Sequence, residues 1–329
     1  MAPLIPPEYH SATEYRFHKE QADTIVRVTT YRNKGNCRVV MWFSPSEHVA
    51  IRPSVEAPFQ RTSYAGLGSL DQLPLEFLQD VLLHLDMDSL FKFRQVNLRS
   101  RQTVQSLRQY EMVVSHGLNL LCTLLRTRLA TDISLFDFFR ALCTKYCTLC
   151  GDFGGFMSLL TWTRCCFKCL RHAPETQMRS LAGVRRKLRL TKAELDQLKS
   201  FQTLPGIYSG HRSVIKSRYT IVSAHQAILV SGQEPQALTQ ALMVDRAQNE
   251  NYNFMGLCAL PYYDRQTNKV EQGMSCAGCQ LALETDIFPH ERWAYEARGK
   301  SYTQDDFLEH FRWCPQAQLL WISSGEGKR

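Results

Sequence analysis

The chain has 329 residues, of which 44% are hydrophobic and 21% charged, and a formal net charge of +8. That length allows about two domains and a substantial core, and the composition excludes disordered and collagen-like classes. No apolar run reaches the roughly 18 residues of a membrane span, and the opening Met1-Ala2-Pro3-Leu4-Ile5-Pro6-Pro7-Glu8 lacks the pattern of a secretory signal. The expected location is cytoplasmic or nuclear, a reducing compartment. The twelve cysteines are therefore read as metal ligands or free thiols before disulfides.

Residues 1–66 are taken as an N-terminal segment. Residues 1–22, rich in Pro and polar side chains, read as irregular. Residues 24–31 are β-branched, residues 37–43 mirror them, and Asn33-Lys34-Gly35-Asn36 supplies turn chemistry, so the pattern predicts a β-hairpin. Residues 63–69 read as a flexible link.

Residues 67–108 carry three helix signals. Leu73, Phe77, Val81 and Leu85 recur at four-residue spacing after Pro74, with Leu78 and Leu82 one position along. Asp86 and Asp88 are candidate caps for a second helix bearing Leu90, Phe91 and Phe93. Asn97 precedes a third, polar helix with Arg99, Arg101 and Val104. These short helices present more apolar surface than they could bury against one another. The plain alternative is an amphipathic hairpin inside a larger core.

The order of these signals resembles an F-box, the helical module that docks onto the Skp adaptor of cullin–RING ubiquitin ligases. The resemblance rests on the Leu-Pro-x-Glu opening at residues 73–76, the Leu-Asp-x-x-x-Leu step at 85–90 and the Arg94-Gln95-Val96-Asn97 exit. Ser100 stands where many F-boxes carry a Trp. The resemblance implies a Skp-type adaptor, and through it a cullin, as partners. It assigns Leu73, Pro74, Phe77, Val81, Leu82, Leu85, Leu90 and Val96 to the adaptor contact.

Residues 109–146 read as a helical connector. Leu118, Leu121 and Leu125 form an apolar set with Leu129 beyond it, and Ser134-Leu135-Phe136-Asp137 opens a further helix lined by Phe138, Phe139 and Leu142. Phe and Leu at helical spacing are core, and no cofactor is assigned to them.

The remaining residues, 147–329, are rich in cysteine motifs. Cys147-Thr148-Leu149-Cys150 and Cys166-Phe167-Lys168-Cys169 are two Cys-x-x-Cys knuckles with fifteen residues between them, a four-cysteine zinc pattern. Each knuckle brings two sulfurs to one side of a bend, and two bends complete a tetrahedron. Cys165 could replace Cys166, but Cys166 reproduces the spacing of the first pair. Lys145, Arg164, Lys168 and Arg171 are expected to offset the charge of −2 that four thiolates leave on a divalent ion. Buried free thiols or a redox Cys-x-x-Cys are the alternatives, and a redox pair needs no second pair.

Farther along, the run Arg185-Arg186-Lys187-Leu188-Arg189 is most simply a solvated helix face, with a nuclear-localisation or nucleic-acid patch as the alternative. Thr191 and Glu194 form a capping box, stapled by Leu190 and Leu195, on a helix expected to end before Pro205-Gly206. Residues 218–222 read as a strand, 237–244 as a helix and 254–263 as a strand. Cys276-Ala277-Gly278-Cys279 is a third knuckle. His310 and Cys314, four apart on a helix opened by Thr303, share a face and complete a second zinc site of three cysteines and one histidine. Its alternative is a partly buried histidine beside an incidental cysteine.

The whole resembles fungal F-box proteins with a cysteine-rich C-terminal region, through residues 147–156, 164–170, 204–209 and 307–314. The fold expected is α+β, mainly α: a three-helix F-box, a helical connector and a zinc-stapled α+β region. The function expected is non-catalytic. The F-box docks the Skp adaptor while the C-terminal region, held by two structural zinc ions, presents an unknown protein substrate for ubiquitination. A RING-type ligase module disagrees with the wide separation of the two clusters. A zinc-dependent nucleic-acid binder or other interaction protein outside a ligase is the alternative, but no base-reading pattern supports nucleic acid as partner. There is no His-Glu-x-x-His, Gly-x-Ser-x-Gly or P-loop to suggest hydrolysis.

Overall fold

The structure, a computed structural model, describes residues 10–43, 55, 65–208, 214–232, 246–285, 287 and 292–328. The predicted N-terminal hairpin does not form. Helix α1 (Ala22–Thr29) is followed by β1 (Thr30–Tyr31) and the short α2 (Lys34–Arg38). Ile25 and Thr29, one turn apart, are both fully buried, and Ile25 packs in a core with Phe307, Phe311 and Trp321. β-Branched side chains favour a pleated surface only weakly, so a helix that buries Ile25 prevails. Asn33, read as a turn residue, instead caps α2 by accepting the Asn36 N–H at 3.4 Å.

The N-terminal segment is thereby tied to the far end of the chain. β1 pairs antiparallel with β12 (Ser275–Cys276), Thr30 opposite Cys276. Ser11 and Tyr15 donate their N–H groups to the carbonyls of Trp313 and Arg312 at 3.1 and 3.0 Å. Downstream, Met41 bridges Cys258, and the Phe43 N–H reaches the Asn119 side chain at 2.9 Å.

The three helices read from residues 67–108 form as α3 (Leu75–His84), α4 (Met87–Val96) and α5 (Leu98–Gln105). Asp86 caps α4 through the Ser89 N–H, and Asn97 caps α5 through the Ser100 N–H, both at 2.8 Å. Asp88 pairs with Lys92 instead. Helices this short draw their stability from packing rather than propensity. Of the expected link at residues 63–69, residues 63 and 64 lie outside the described residues. The rest leads into a 3-10 turn, Gly68–Gln72, pinned by the Leu67 N–H on the Asp71 carboxylate at 2.6 Å.

Helix α6 (Arg108–Thr127) and α7 (Leu135–Leu142) form the connector. Ser134 caps α7 through the Asp137 N–H at 3.0 Å. The Met87 N–H to Ile133 carbonyl and Leu135 N–H to Leu85 carbonyl bonds, at 2.9 and 3.1 Å, fasten α4 to this connector. Phe138 and Leu142 are fully buried in a core that runs from Leu78 and Leu90 through Leu121 to Cys147, Leu170 and Tyr263.

The C-terminal region mixes small sheets with short helices. One sheet has the order β3 (Arg164–Cys165), β2 (Phe156–Ser158), β9 (Leu257–Ala259). Another runs β4 (Met178–Ser180), β8 (Thr220–Ser223), β5 (Ser200–Gln202). The pairs β6 (Gly206–Ile207) with β7 (Val214–Ile215), and β10 (Tyr262–Tyr263) with β11 (Val270–Glu271), complete the strands described. The helices are α8 (Phe167–His172), α9 (Leu181–Leu188), α10 (Lys192–Asp196), α11 (Ala224–Ser231), α12 (Arg246–Met255), α13 (Ala277–Glu284), α14 (Arg292–Gly299), α15 (Gln304–Trp313) and α16 (Pro315–Ser323).

The Thr191–Glu194 capping box forms, with the Thr191 N–H donating to the Glu194 carboxylate at 2.6 Å. Its helix stops at Asp196, well before Pro205, because the chain turns into β5. The run 254–263 is not one strand: α12 ends at Met255, and a tight Gly256 separates it from β9 and β10. The helix predicted over 237–244 lies outside the described residues. The fold is α+β and mainly α, with short sheets confined largely to the cysteine-bearing half.

Candidate metal centres and docking face

The first centre is built by a hairpin. β2 and β3 pair with Phe156 opposite Cys165, folding Cys166 back onto the Cys147 turn. In that turn the Gly151 N–H bonds the Cys147 carbonyl at 2.9 Å, and the Cys147 N–H bonds the Asp152 carbonyl at 2.7 Å. Gly151 has φ +81°, a left-handed conformation that favours glycine. Cys166 is the N-cap of α8, and its sulfur accepts the Cys169 N–H at 3.4 Å. The sulfurs of Cys147, Cys150, Cys166 and Cys169 all lie within 4.8 Å of one another, with Cys150 and Cys166 at 3.5 Å. A thiolate tetrahedron with bonds of about 2.3 Å has edges of about 3.8 Å. The four can therefore hold one metal ion. Cys165 is fully buried on β3 and does not belong to the four.

The second centre joins elements distant in sequence. Cys276 caps α13, its sulfur accepting the Cys279 N–H at 3.4 Å. His310 lies on α15. Cys314 is not on that helix but at the corner where α15 ends and α16 begins. Cys276 and Cys314 sulfurs are 3.8 Å apart, Cys279 and Cys314 4.0 Å, and Cys279 Sγ lies 3.4 Å from His310 Nε2. These four ligand atoms also lie within 4.8 Å of one another. Tyr302 stacks on the His310 ring at 4.9 Å between centroids, holding its orientation. In both centres four protein atoms lie close enough together to surround one metal ion, and four protein ligands are the donor set of a structural site.

Within each cluster the thiols act on one another. Hydrogen bonds from Cys166 and Cys169 hold the Cys147 thiol far below its ordinary range, while both donors are pushed up. In the second centre, bonds from Cys276 and Cys279 hold Cys314 down. Burial chiefly drives Cys276 up, and hydrogen bonding to Cys276 and Cys314 drives Cys279 up. Each cluster thus stabilises one thiolate while opposing ionisation of its neighbours, and a bound cation removes that opposition.

The cations expected to balance the first cluster are spent elsewhere. Arg164 is buried and donates to the carbonyls of Gly154, Ala141 and Leu260 at 2.7, 2.8 and 3.0 Å. Lys145 pairs with Glu271, Lys168 with Glu296 and Arg171 with Glu250. A different pair borders the cluster. The Cys150 thiol lies 3.6 Å from the Asp152 carboxylate, which Lys300 binds at 2.8 Å. Lys300 in turn lies 5.1 Å over the Tyr302 ring, so polar and aromatic contacts run from one centre to the other.

The adaptor contact expected on α3 and α4 is only partly on the surface. Leu73, Pro74, Phe77, Val81 and Val96 are exposed, Phe77 by 66% and Val96 by 70%. Leu85 is half-buried. Leu82 and Leu90 are 2% and 0% exposed and belong to the internal core, which removes them from a solvent-facing set. Helical spacing records that a side chain is apolar but not whether its partner is internal or external. Leu75, exposed by 51% at the start of α3, joins the outward face although its position fell outside the four-residue repeat.

Sequence reading placed Gly278 in the knuckle but missed its packing beneath the backbone of α16, and it read Thr30 and Tyr31 as strand but missed their pairing with the third knuckle. The glycine inside the knuckle was a local signal for the first. No local signal marked the second.

Among the described residues, no helix is long and apolar enough to cross a membrane. No curated protein and no solved structure matches the chain. The family model of the F-box domain matches residues 70–112, from the turn before α3 into the first residues of α6. The chain is therefore a protein with an F-box domain at residues 70–112, followed by a region that carries two cysteine-rich clusters.

Proposed function

We propose that this protein is a substrate-recognition adaptor of a Skp–cullin–F-box type ubiquitin ligase. The observation that carries the reading is the outward apolar face of the F-box. Leu73, Leu75, Phe77, Val81 and Val96 are all exposed, whereas Leu78, Leu82 and Leu90 of the same helices are internal. Apolar side chains gathered on one surface and left uncovered suit burial by a partner. The partner is a Skp-type adaptor, contacted by Leu73, Pro74, Phe77, Val81, Leu85 and Val96, with Leu75 added.

In this reading the chain performs no bond chemistry. It supplies proximity, holding a target where ubiquitin transfer becomes effectively intramolecular. Zinc occupies both clusters as a structural ion. The first fastens the turn at residues 147–152 to α8, and the second fastens α13 to the α15–α16 corner. The rigid frame so formed carries the target-binding surface.

Co-expression of the full chain with a Skp adaptor tests this function. A soluble complex that purifies together, and that weakens when Phe77 and Val96 are both changed to Ala, supports it. Wild-type protein that folds and never co-purifies with the adaptor refutes it.

A further inference from the structure

The two metal centres meet along a shared seam. The first knuckle turn ends at Asp152, whose carboxylate binds Lys300 at 2.8 Å and lies 3.6 Å from the Cys150 sulfur. The next residue, Phe153, is buried with its ring against Gly273, where an added Cβ would sit 2.8 Å from two ring carbons. Gly273 has φ +71°, a left-handed conformation, and leads through Met274 and Ser275 to Cys276. Tyr302 and Met274 exchange both backbone hydrogen bonds, at 2.8 and 3.0 Å. The Ser275 hydroxyl donates to the Lys300 carbonyl at 3.0 Å.

Residues 300–302 thus touch both centres. The Lys300 ammonium holds the first turn and lies over the Tyr302 ring, which stacks on His310 of the second centre. A second tie runs through α14, which ends directly before Lys300. Lys168, inside the second knuckle, pairs with Glu296 on that helix at 3.2 Å, and an added Cβ on Gly299 would meet the Phe167 ring at 3.2 Å. An exposed ion pair alone would contribute little. Here the pair is partly shielded, and it is joined by buried ring-to-backbone packing and a two-bond backbone bridge. An ion that orders the turn at 147–152 therefore also fixes the neighbours of residues 273–276 and 300–302, which present Cys276 and steady His310.

We propose that the two centres are coupled, an ion bound at either one raising the affinity of the other through the seam of Asp152, Phe153, Gly273, Lys300 and Tyr302. The inference rests on the reading of both clusters as zinc sites. Metal binding is coupled to folding, so each ion must also order the segments that carry its ligands. The centre filled first orders the shared residues. The centre filled second then has less left to order, which gives positive cooperativity without direct contact between the ions. Such coupling is reciprocal: the factor that the first ion gives the second, the second gives the first.

The test titrates the full chain with zinc in competition with a chromophoric chelator. Parallel titrations use cobalt(II), whose absorption distinguishes a shell of four sulfurs from one of three sulfurs and a nitrogen. The second centre is compared between wild type, with the first centre filled, and Cys147→Ser combined with Cys166→Ser. Cys276→Ser with His310→Ala serves the reverse comparison. The remaining centre should still take one ion, with affinity lower by about five-fold or more and by the same factor in both directions. Structural zinc binds tightly enough that a loss of this size leaves occupancy intact and shows only in the competition. Removing ligands can unfold the segments that carry them, so Asp152→Asn supplies a readout with every ligand in place. It lies beside the first centre, and it should weaken the second as well. Equal affinity of each centre with and without its neighbour, or a second centre that Asp152→Asn leaves unmoved, would overturn the coupling. Two ions bound independently refute the coupling alone, whereas a wild-type chain that binds no zinc refutes the zinc reading with it.

Discussion

Gly278 lies so close beneath Ala317 that a Cβ added to the glycine would sit 2.3 Å from the Ala317 nitrogen. The contact is with helix backbone, which cannot swing aside as a side chain does. This approach of α13 to α16 brings the third knuckle to Cys314. Gly278→Ala should therefore cost at least the roughly 1–3 kcal/mol of ordinary overpacking and reduce metal content at the second centre while leaving the first intact. Metal analysis and thermal unfolding of the purified variant check this. A variant with wild-type stability and full metal content would contradict it.

The two clusters should together hold about two zinc ions per chain. Replacing Cys276 with Ser and His310 with Ala should leave about one, and replacing Cys147 and Cys166 should likewise remove one ion. A strong chelator should lower the unfolding temperature of the wild type, because ion binding is coupled to folding. Elemental analysis of protein purified without added metal supplies the count, and zero zinc in intact protein would overturn both assignments.

Cys258 offers a pH-dependent reading away from the clusters. Its sulfur lies 3.1 Å from Asn119 Nδ2 and donates to the Met41 carbonyl at 3.4 Å, and burial pushes its thiol up to about 12. A folded value above the unfolded one means that stability is unaffected below the unfolded value and falls as pH rises from about 9 toward 12. Cys258→Ala should reduce that alkaline loss of stability. Native Cys258 should also resist alkylation at pH values where an unfolded thiol reacts. Mass-spectrometric mapping of alkylated cysteines, with denaturation midpoints measured across this pH range, tests both.

Internal and external leucines of the F-box should respond differently. Leu82→Ala and Leu90→Ala should each destabilise the fold by about 2–5 kcal/mol, as expected for truncation in a packed core. Phe77→Ala and Val96→Ala should leave thermal unfolding almost unchanged, since both side chains are mostly exposed. Denaturant titration of the four variants separates the groups, and equal losses in all four would contradict the placement of the outward face.

Features written in local spacing were legible before the fold was known. The Cys-x-x-Cys knuckles, the caps at Asp86, Asn97, Ser134 and Thr191, and the pairing of His310 with Cys314 depend on residues a few positions apart. What could not be read depends on distant partners. Ile25 and its neighbours carry the composition of a strand, yet a core supplied by Phe307, Phe311 and Trp321 decides for a helix. Thr30 meets Cys276, far away in the sequence. Arg164 sits beside a cysteine cluster in sequence, but three carbonyls claim its guanidinium. Leu82 lies one position off the repeat that carries Phe77 and Leu90 lies on the next helix, and the packed core shows that both face inward.

The central claim is that the exposed face of α3 and α4 docks this chain onto a ligase adaptor. Its most direct measurement is the affinity of the purified chain for a Skp adaptor, by calorimetry or surface-immobilised binding, for wild type and for Phe77→Ala combined with Val96→Ala. The account predicts a stable wild-type complex and a variant weakened by about ten-fold or more with its fold intact. A folded wild-type chain with no measurable affinity, or a variant that binds equally well, would contradict it.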